Sequence, residues 1–191
     1  MNDKFERLIE RAEQLIARIE SVLPQPLQAP ADWNASIAWR YRRRSTGHGS
    51  LEPVRHVAQM PLDSLKEIDI QKEKIERNTR QFVEGKPANN VLLTGARGTG
   101  KSSLIRACLQ AYAPQGLRLI EVDKAELTDL PDIVEVVSGR PEKFIVFSDD
   151  LSFDEGEPGY KALKSILDGS IAAATPNVLI YATSNRRHLL P

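Results

Sequence analysis

From residue 69 onward, the chain alternates short apolar runs with segments whose apolar residues recur every three or four positions. Continuous apolar runs between turn residues are typical of strands buried on both faces, and the three-and-four spacing is typical of helices. Because the two alternate, the pattern predicts an α/β fold with a parallel sheet sandwiched between helices. The predicted strands cover 91–94, 117–122, 144–147 and 178–182. A first helix is predicted from its cap at Asp69 to its end at Gly85, and further helices cover 102–112, 131–137 and 159–167.

A separate helix is predicted at the N-terminus. Apolar residues recur there at alternating three- and four-residue steps, which places them on one stripe of a helix of about five turns. The spacing is that of a coiled-coil seam of about three heptads, and it fits two interpretations equally: docking onto the chain's own domain, or dimerisation. The stripe consists of Phe5, Leu8, Ala12, Leu15, Ile19 and Val22, with Leu23 adjacent. Pro24, Pro26 and Pro30 then end the helix and favour an extended connector.

Residues 33–61 combine arginines with aromatic side chains. One hypothesis is a nucleic-acid or phosphate contact, because guanidinium groups pair with phosphates and aromatic rings stack on bases. The other is pairing with acidic residues of the same domain or of a neighbouring subunit, which the net charge of zero, from 26 basic and 26 acidic residues, favours. The cluster comprises Trp33, Trp39, Arg40, Tyr41, Arg42, Arg43 and Arg44. His48 and His56 have no partners at metal-ligand spacing and are expected to be loop residues.

The composition narrows the class of protein further. The 191-residue chain has 41% hydrophobic and 27% charged residues, as expected for one globular domain with an appendage. It has no apolar run of the roughly 18 residues that a membrane span needs, and the charged segment 1–23 does not fit a signal peptide. We therefore expect a cytoplasmic protein with no membrane partner. The single cysteine, Cys108, excludes an internal disulfide and is expected to be a buried, unreactive thiol.

The segment that follows the predicted strand 91–94 has the complete P-loop pattern, GARGTGKS at 95–102. Glycines at such positions let backbone N–H groups approach phosphate oxygens at the positive end of a helix. Lys101 is the predicted contact to the β- and γ-phosphates, and the Ser102 hydroxyl is a predicted Mg²⁺ ligand. Arg97 is expected to point into solvent. The predicted nucleotide-binding residues are Gly95, Ala96, Arg97, Gly98, Thr99, Gly100, Lys101, Ser102 and Ser103.

Acidic and polar residues follow two further predicted strands. Asp149 and Asp150 come after the run 144–147, and Asn185 comes shortly after 178–182. The carboxyl ends of parallel strands share the sheet edge at which ligands of such folds bind. We predict that Asp149 binds Mg²⁺ through a water molecule and that Asp150 polarises an attacking water. Asn185 is predicted to hold that water or to contact the γ-phosphate. The alternative interpretation is that Asn185 is only a turn residue without a role in binding.

Taken together, these segments resemble an AAA+ ATPase, and more narrowly a bacterial family of AAA+ ATPases without an assigned physiological role, formerly a domain of unknown function. The resemblance spans most of the chain from Asp69 onward and rests on residues 71–73, 78–79, 87–93, 95–104, 117–124, 147–153, 156–163 and 181–189. It implies Walker A roles for Lys101 and Ser102, a Walker B role for Asp149 and a sensor-1 role for Asn185. It also implies a five-stranded sheet followed by a helical lid.

Two features depart from that family pattern. Asp150 stands where the superfamily usually has glutamate, and its side chain, shorter by about one C–C bond, predicts slow hydrolysis. The sequence ends at Pro191, soon after the sensor-1 segment, so we expect an incomplete module that lacks the fifth strand, the C-terminal lid with its sensor-2 arginine, and the arginine finger. Arg186 and Arg187 could act across a subunit boundary, but neither is assigned as the finger.

The expected organisation is an N-terminal helix plus a proline- and arginine-rich connecting region over 1–60, and an incomplete AAA+ nucleotide-binding core over 61–191. The expected function is Mg²⁺-dependent ATP hydrolysis by a homo-oligomer, coupled to remodelling of a protein or nucleic-acid client, with Lys101, Asp150 and Asn185 as catalytic residues. One alternative is an adaptor with little hydrolysis, in which bound ATP changes how the N-terminal helix or the arginine cluster meets a partner. A second alternative is a P-loop kinase for a small acceptor, which would need an arginine-rich lid and an acceptor pocket.

Overall fold

A computed structural model describes residues 2–23, 25–45, 47, 49–57, 59, 61–62, 69–154, 156–168 and 175–185. The helices are α1 (Asn2–Val22), α2 (Asp69–Val83), α3 (Lys101–Tyr112), α4 (Leu130–Val137) and α5 (Pro158–Leu167). The strands are β1 (Ala38–Arg43), β2 (Gly49–Pro53), β3 (Val91–Thr94), β4 (Leu117–Glu121), β5 (Lys143–Ser148) and β6 (Val178–Ser184). Short 3₁₀ helices cover Trp33–Ala35, Ala113–Gln115 and Lys124–Asp129. Each element predicted from residue 69 onward is present, with bounds that differ by at most about two residues.

The sheet has the strand order β2-β1-β4-β5-β6-β3, and every neighbouring pair except β1 and β2 is parallel. Successive side chains of a strand point to opposite faces, so each buried strand supplies two cores. Phe144 and Val146 of β5 pack with α4 and α5, whereas Ile145 and Phe147 pack with α2 and α3. The predicted α/β fold, with a parallel sheet sandwiched between helices, is confirmed.

The sheet has six strands in the described part of the chain, where the resemblance implied five. The predicted elements do not include β1 and β2, which pair antiparallel with each other and join the sheet through β1 and β4. In β1, buried Trp39 and Tyr41 alternate with Arg40 and Arg42, which is the period-two pattern of a strand. The division of the chain at residue 60 stays a prediction, and the sheet contains strands from both sides of that position.

The arginines of β1 pair with carboxylates of the same domain. Arg40 Nη2 lies 3.2 Å from Glu121 Oε2, and Arg42 Nε lies 3.9 Å from Glu52 Oε2. Arg43 Nε lies 2.8 Å from Asp129 Oδ2. The aromatic residues of the cluster point into the core, where the rings of Trp33 and Trp39 meet edge to face. This arrangement matches pairing within the domain rather than an open surface for nucleic acid. His56 is exposed in a loop as expected, and His48 lies outside the described residues.

The predicted N-terminal helix is confirmed as α1, but its apolar stripe does not dock onto the chain's own domain. The stripe stays exposed along its length, with Phe5 at 62%, Leu15 at 59% and Val22 at 81% of full exposure. The structure therefore does not show docking of this stripe onto the chain's own domain, which is one of its two interpretations. Among the described residues, no helix has the length and apolar character needed to span a bilayer.

Cys108 occupies a buried position on α3, as predicted, and its side chain is 0% exposed. Burial raises the pKa of its thiol to about 12. The thiolate form is the reactive one, so the folded chain keeps this cysteine in its unreactive form at neutral pH.

Arg118 is a buried charged residue of β4 that forms hydrogen bonds to the 3₁₀ helix Trp33–Ala35. Its guanidinium donates to the carbonyl oxygens of Trp33 at 2.9 Å, Ala113 at 3.0 Å and Leu117 at 2.7 Å, and to Asn34 Oδ1 at 2.6 Å. Arg118→Met is expected to lower the free energy of unfolding by about 2 kcal/mol, because it leaves buried acceptors without donors. Urea unfolding followed by circular dichroism measures the loss.

Arg42→Met is the matched control for that substitution. The Arg42 side chain is half exposed and its pair with Glu52 is long, so the expected loss is within about 0.5 kcal/mol. Equal losses for the two variants would contradict the structural role assigned to Arg118.

The carboxylate of Asp129 is predicted to make stability depend on pH. Burial acts to raise its pKa, but hydrogen bonds from Arg43 and Tyr41 outweigh burial and hold the pKa below the ordinary value. A carboxyl group with a depressed folded-state pKa stabilises the fold above the unfolded-state pKa of about 3.9, and this contribution disappears as the pH falls through the folded-state pKa. The wild type should therefore be more stable than Asp129→Asn at pH 7, and the difference should shrink as the pH falls below about 4. Urea midpoints of both proteins between pH 7 and pH 3 test this, and a constant difference would contradict it.

Candidate nucleotide site

The predicted P-loop connects the end of β3 to the first residue of α3. Gly95, Gly98 and Gly100 have φ values of 147°, 81° and 80°, a region that residues with a side chain rarely adopt. Gly100 is the N-cap of α3, so the 12-residue helix begins where the loop ends. Such a loop directs backbone N–H groups and the positive helix end to one place, which is the arrangement that binds phosphate.

The loop curves around the side chain of Lys101. The Lys101 ammonium group donates to the carbonyl oxygens of Gly95 at 2.8 Å and Ala96 at 2.7 Å, and to Thr99 Oγ1 at 3.3 Å. It also lies 3.4 Å from Asn185 Oδ1, beyond the end of β6. A single cation thus lies between the loop and the neighbouring strand end.

Two residues far apart in sequence meet beside that lysine. Ser102 Oγ, in the first turn of α3, donates to Asp149 Oδ1 at 2.6 Å, directly after β5. Thr183 Oγ1 of β6 donates to the same carboxylate oxygen. A hydroxyl and a carboxylate are hard oxygen ligands of the kind that Mg²⁺ uses together with phosphate oxygens and water. The described residues contain no cluster of three or more His, Cys, Asp and Glu.

Asp150 has an unusual backbone conformation for a residue with a side chain. Its φ is 53°, in the left-handed region that aspartate and asparagine tolerate better than most residues. Its N–H donates to Thr183 Oγ1 at 2.8 Å, and its carboxylate accepts from the Asn185 amide. The chain therefore holds the Asp150 side chain against Asn185 rather than leaving it in a loose surface loop.

Thr183 links these two acidic residues and was absent from the predicted site residues. It donates to Asp149, accepts from the Asp150 N–H, and its own carbonyl accepts from the Leu151 N–H at 2.7 Å. The signal available in the sequence is its place as the first polar residue after the apolar run 178–182. A hydroxyl at that position is next to the carboxyl end of β5 because β5 and β6 are adjacent parallel strands.

Helix α2 is hydrogen-bonded to β6 and to the segment just before β3, the two adjacent strands whose carboxyl ends lie at the site. The Asn78 amide donates to Tyr181 Oη at 2.9 Å and to the Asn89 carbonyl at 2.8 Å, and Asn78 Oδ1 accepts from the Asn89 N–H at 2.9 Å. Thr79 Oγ1 lies 2.9 Å from the same tyrosine hydroxyl. Burial raises the pKa of Tyr181 to about 12, so this hydroxyl stays protonated and keeps β6 attached to α2.

The P-loop and the polar residues that follow β5 and end β6 line one polar cleft with a volume of ≈ 280 Å³. Most of the predicted site residues line this cleft. Gly95 and Ala96 are not part of its lining, but their carbonyl oxygens accept hydrogen bonds from Lys101. Arg97 is exposed, as expected. The lining consists of residues 97–103, Asp149, Asp150, Thr183 and Asn185. A larger groove of ≈ 710 Å³ lies near the end of α1 and β2, but its lining has neither a glycine loop nor a carboxylate. Arg186 and Arg187 lie outside the described residues.

The sheet order and the loop before α3 define the class: the chain has the AAA+ P-loop fold. Residues 34–191 match the family described as "Protein of unknown function (DUF815)". The chain therefore belongs to this family. No curated protein matches the sequence.

The similarity of one solved structure, a RuvB chain, agrees with the fold class. A RuvB variant from Thermotoga maritima superposes with a TM-score of 0.50 at 16% identity, over 71% of this chain and 44% of that chain. AMPPCP-bound DnaA from Aquifex aeolicus gives 0.47 at 16% identity, over 66% and 42%. Trip13 from Rhizobiales gives 0.48 at 14% identity, over 66% and 57%. The chain spans less than half the length of the RuvB and DnaA chains, and likeness at these identities concerns the fold alone.

Proposed function

We propose that this chain binds ATP with Mg²⁺ in the polar cleft and hydrolyses it, and that hydrolysis drives remodelling of a protein or nucleic-acid client. The observation that carries the proposal is the 2.6 Å contact between Ser102 Oγ and Asp149 Oδ1, which are 47 residues apart in sequence. This contact places a hydroxyl and a carboxylate at the start of α3, next to the lysine of a phosphate-binding loop.

Each part of the cleft has a distinct task in the proposed reaction. The loop amides at 95–100 and the N-terminus of α3 bind the phosphate oxygens, and Lys101 neutralises charge on the β- and γ-phosphates. Ser102 and Asp149 would hold Mg²⁺, and the ion would supply charge neutralisation at the phosphates. The Lys101 ammonium must then exchange its contacts with the loop carbonyls for contacts with phosphate oxygens.

Asp150 and Asn185 act on the water side of the cleft. In the proposed step, a water oxygen bonds to the γ-phosphorus, the bond from that phosphorus to the bridging oxygen breaks, and ADP leaves. Asp150 accepts the water proton, and the Asn185 amide keeps the Asp150 carboxylate oriented. The short aspartate side chain reaches less far than a glutamate, so turnover by this site is expected to be slow.

A specific observation keeps the adaptor alternative as a second candidate. The carboxylate of Asp150 is already engaged by the Asn185 amide, and its side chain is short. Tight ATP binding with very little hydrolysis is therefore also compatible with this cleft, and nucleotide occupancy would then act as a switch for partner binding.

The dependence of ATPase rate on protein concentration distinguishes the two candidates. A remodelling ATPase of this class is expected to assemble and to turn over faster per chain when a neighbouring subunit contributes an arginine to the transferring phosphoryl group. The measurement is phosphate release per chain over a concentration series, with binding measured in parallel. A rate per chain that rises with concentration supports the remodelling ATPase, whereas tight binding with a negligible rate at every concentration supports the adaptor.

A further inference from the structure

Thr183 is a buried hydroxyl residue that lies between the two acidic residues of the cleft. Its side chain belongs to the cleft lining, yet the residue is only 1% exposed. A buried hydroxyl requires hydrogen-bond partners, and Thr183 has them in Asp149 and Asp150. These are the two residues to which the proposed function assigns the metal and the attacking water.

The chemistry of the groups fixes the direction of both hydrogen bonds. The Asp150 N–H can only donate, so Thr183 Oγ1 accepts from it, at 2.8 Å. The hydroxyl has one proton, and that proton goes to Asp149 Oδ1. A single hydroxyl therefore contacts the carboxylate of one acidic residue and the backbone of the other.

The Asp149 carboxylate accepts three hydrogen bonds on the same oxygen. Besides Thr183, Asp149 Oδ1 accepts from Ser102 Oγ at 2.6 Å and from the Asp150 N–H at 3.1 Å. Groups that donate to a metal-binding carboxylate orient it, and their loss typically costs about 10- to 100-fold in metal affinity or activity. Without the Thr183 hydroxyl, one of the three donors that keep this carboxylate beside Ser102 is missing.

The backbone of Asp150 is held in the left-handed region at a φ of 53°. Such a conformation is costly for a residue with a side chain and persists only where its surroundings hold it. The Thr183 hydroxyl bonds the N–H of this residue, and the Thr183 carbonyl accepts from the next N–H, that of Leu151, at 2.7 Å. Leu151 is fully buried, so this side of the loop is anchored to β6.

We propose that Thr183 is a positioning residue for ATP hydrolysis. Its hydroxyl keeps the Asp149 carboxylate against Ser102, and the same hydroxyl holds Asp150 in the conformation that directs its carboxylate to Asn185. This inference rests on the proposed function, because it gives Thr183 its task through the two aspartates. Removing the hydroxyl should therefore impair the effect of Mg²⁺ and the hydrolysis step together.

Thr183→Val tests this role, because it replaces the hydroxyl with a methyl group of similar size. In calorimetric titrations, Mg²⁺ should tighten ATP binding to the wild type by at least about tenfold but to Thr183→Val by less than about threefold. Metal-free ATP affinity should stay within about twofold, and single-turnover hydrolysis should fall by at least about tenfold. Thr183→Ala, a second variant without the hydroxyl, should show the same losses, whereas Thr183→Ser keeps the hydroxyl and should restore both properties.

Hydrogen–deuterium exchange without nucleotide gives a readout that does not depend on a loaded site. The Asp150 amide should exchange at least about tenfold faster in Thr183→Val than in the wild type, because it loses its 2.8 Å acceptor. Thr183→Ser should exchange at the wild-type rate.

Ser148→Ala is the matched control for a loss of stability alone. Ser148 ends β5, is 1% exposed and donates to the Val122 carbonyl at 2.8 Å, and it is not part of the cleft lining. This variant also loses a buried hydroxyl, but it should keep the wild-type effect of Mg²⁺ and the wild-type rate. A full Mg²⁺ effect in Thr183→Val, or an equal loss in Ser148→Ala, would overturn the role of Thr183 while leaving the proposed function intact. A wild type whose ATP binding does not respond to Mg²⁺ would overturn both.

Discussion

Lys101→Ala is expected to weaken Mg·ATP binding by at least about 100-fold, which corresponds to about 2.7 kcal/mol. The Lys101 ammonium is the cation held at the centre of the loop, 2.8 Å and 2.7 Å from the carbonyls of Gly95 and Ala96 and 3.4 Å from Asn185 Oδ1. Its removal leaves the negative charge of a triphosphate without its closest counter-charge in the protein. Isothermal titration calorimetry with ATP and excess Mg²⁺ measures the change.

Lys161→Ala provides the control for that substitution. Lys161 is an exposed lysine of α5, on the opposite face of the sheet from α3, and its replacement should leave the affinity within about twofold. The urea midpoint of Lys101→Ala should also stay near the wild-type value, because Lys101 contributes no buried apolar contact. Tight retention of Mg·ATP by folded Lys101→Ala would refute the assignment of this loop as the phosphate site.

Asp150→Asn is expected to keep ATP affinity within about threefold and to reduce hydrolysis by about 100-fold, within the range that general bases contribute. The amide cannot accept a proton from the attacking water, but it keeps the size of the side chain. Asparagine also tolerates the φ of 53°, so the loop after β5 should keep its conformation. Single-turnover hydrolysis, measured with enzyme in excess over ATP, separates this loss from any change in binding.

Asp154→Asn is the matched control, since Asp154 is an exposed aspartate four residues further along the same segment and outside the cleft lining. It should hydrolyse ATP at the wild-type rate. Unchanged turnover by Asp150→Asn would mean that another group orients and deprotonates the water.

The strands of the core were predictable because they are buried on both faces. Val178–Ser184 and Lys143–Ser148 are almost entirely buried, so their apolar runs carry a strong signal. In β1, by contrast, arginines at 40, 42 and 43 hide the signal, and Arg40 and Arg43 pair with carboxylates that lie more than 80 residues away in sequence. Long-range pairing of this kind leaves no local pattern in a single sequence.

The nucleotide site was predictable to the extent that its chemistry is local. The loop before α3 has a fixed spacing, and the parallel strands of one sheet end at the same edge, which placed Asp149 on the same side of the sheet as Ser102. Thr183 was missed because a threonine at a strand end carries no specific signal, and its role depends on two hydrogen bonds made across the sheet.

The central claim is that Ser102 and Asp149 hold Mg²⁺ against the phosphates of ATP, and calorimetric titration of ATP with and without Mg²⁺ tests it most directly. For the wild type, one ATP should bind per chain, and Mg²⁺ should tighten binding by at least about tenfold. For Asp149→Asn, metal-free binding should be equal or tighter, and the effect of Mg²⁺ should disappear. ATP binding that is equally tight with and without Mg²⁺ in the wild type, or no ATP binding at all, would contradict the account.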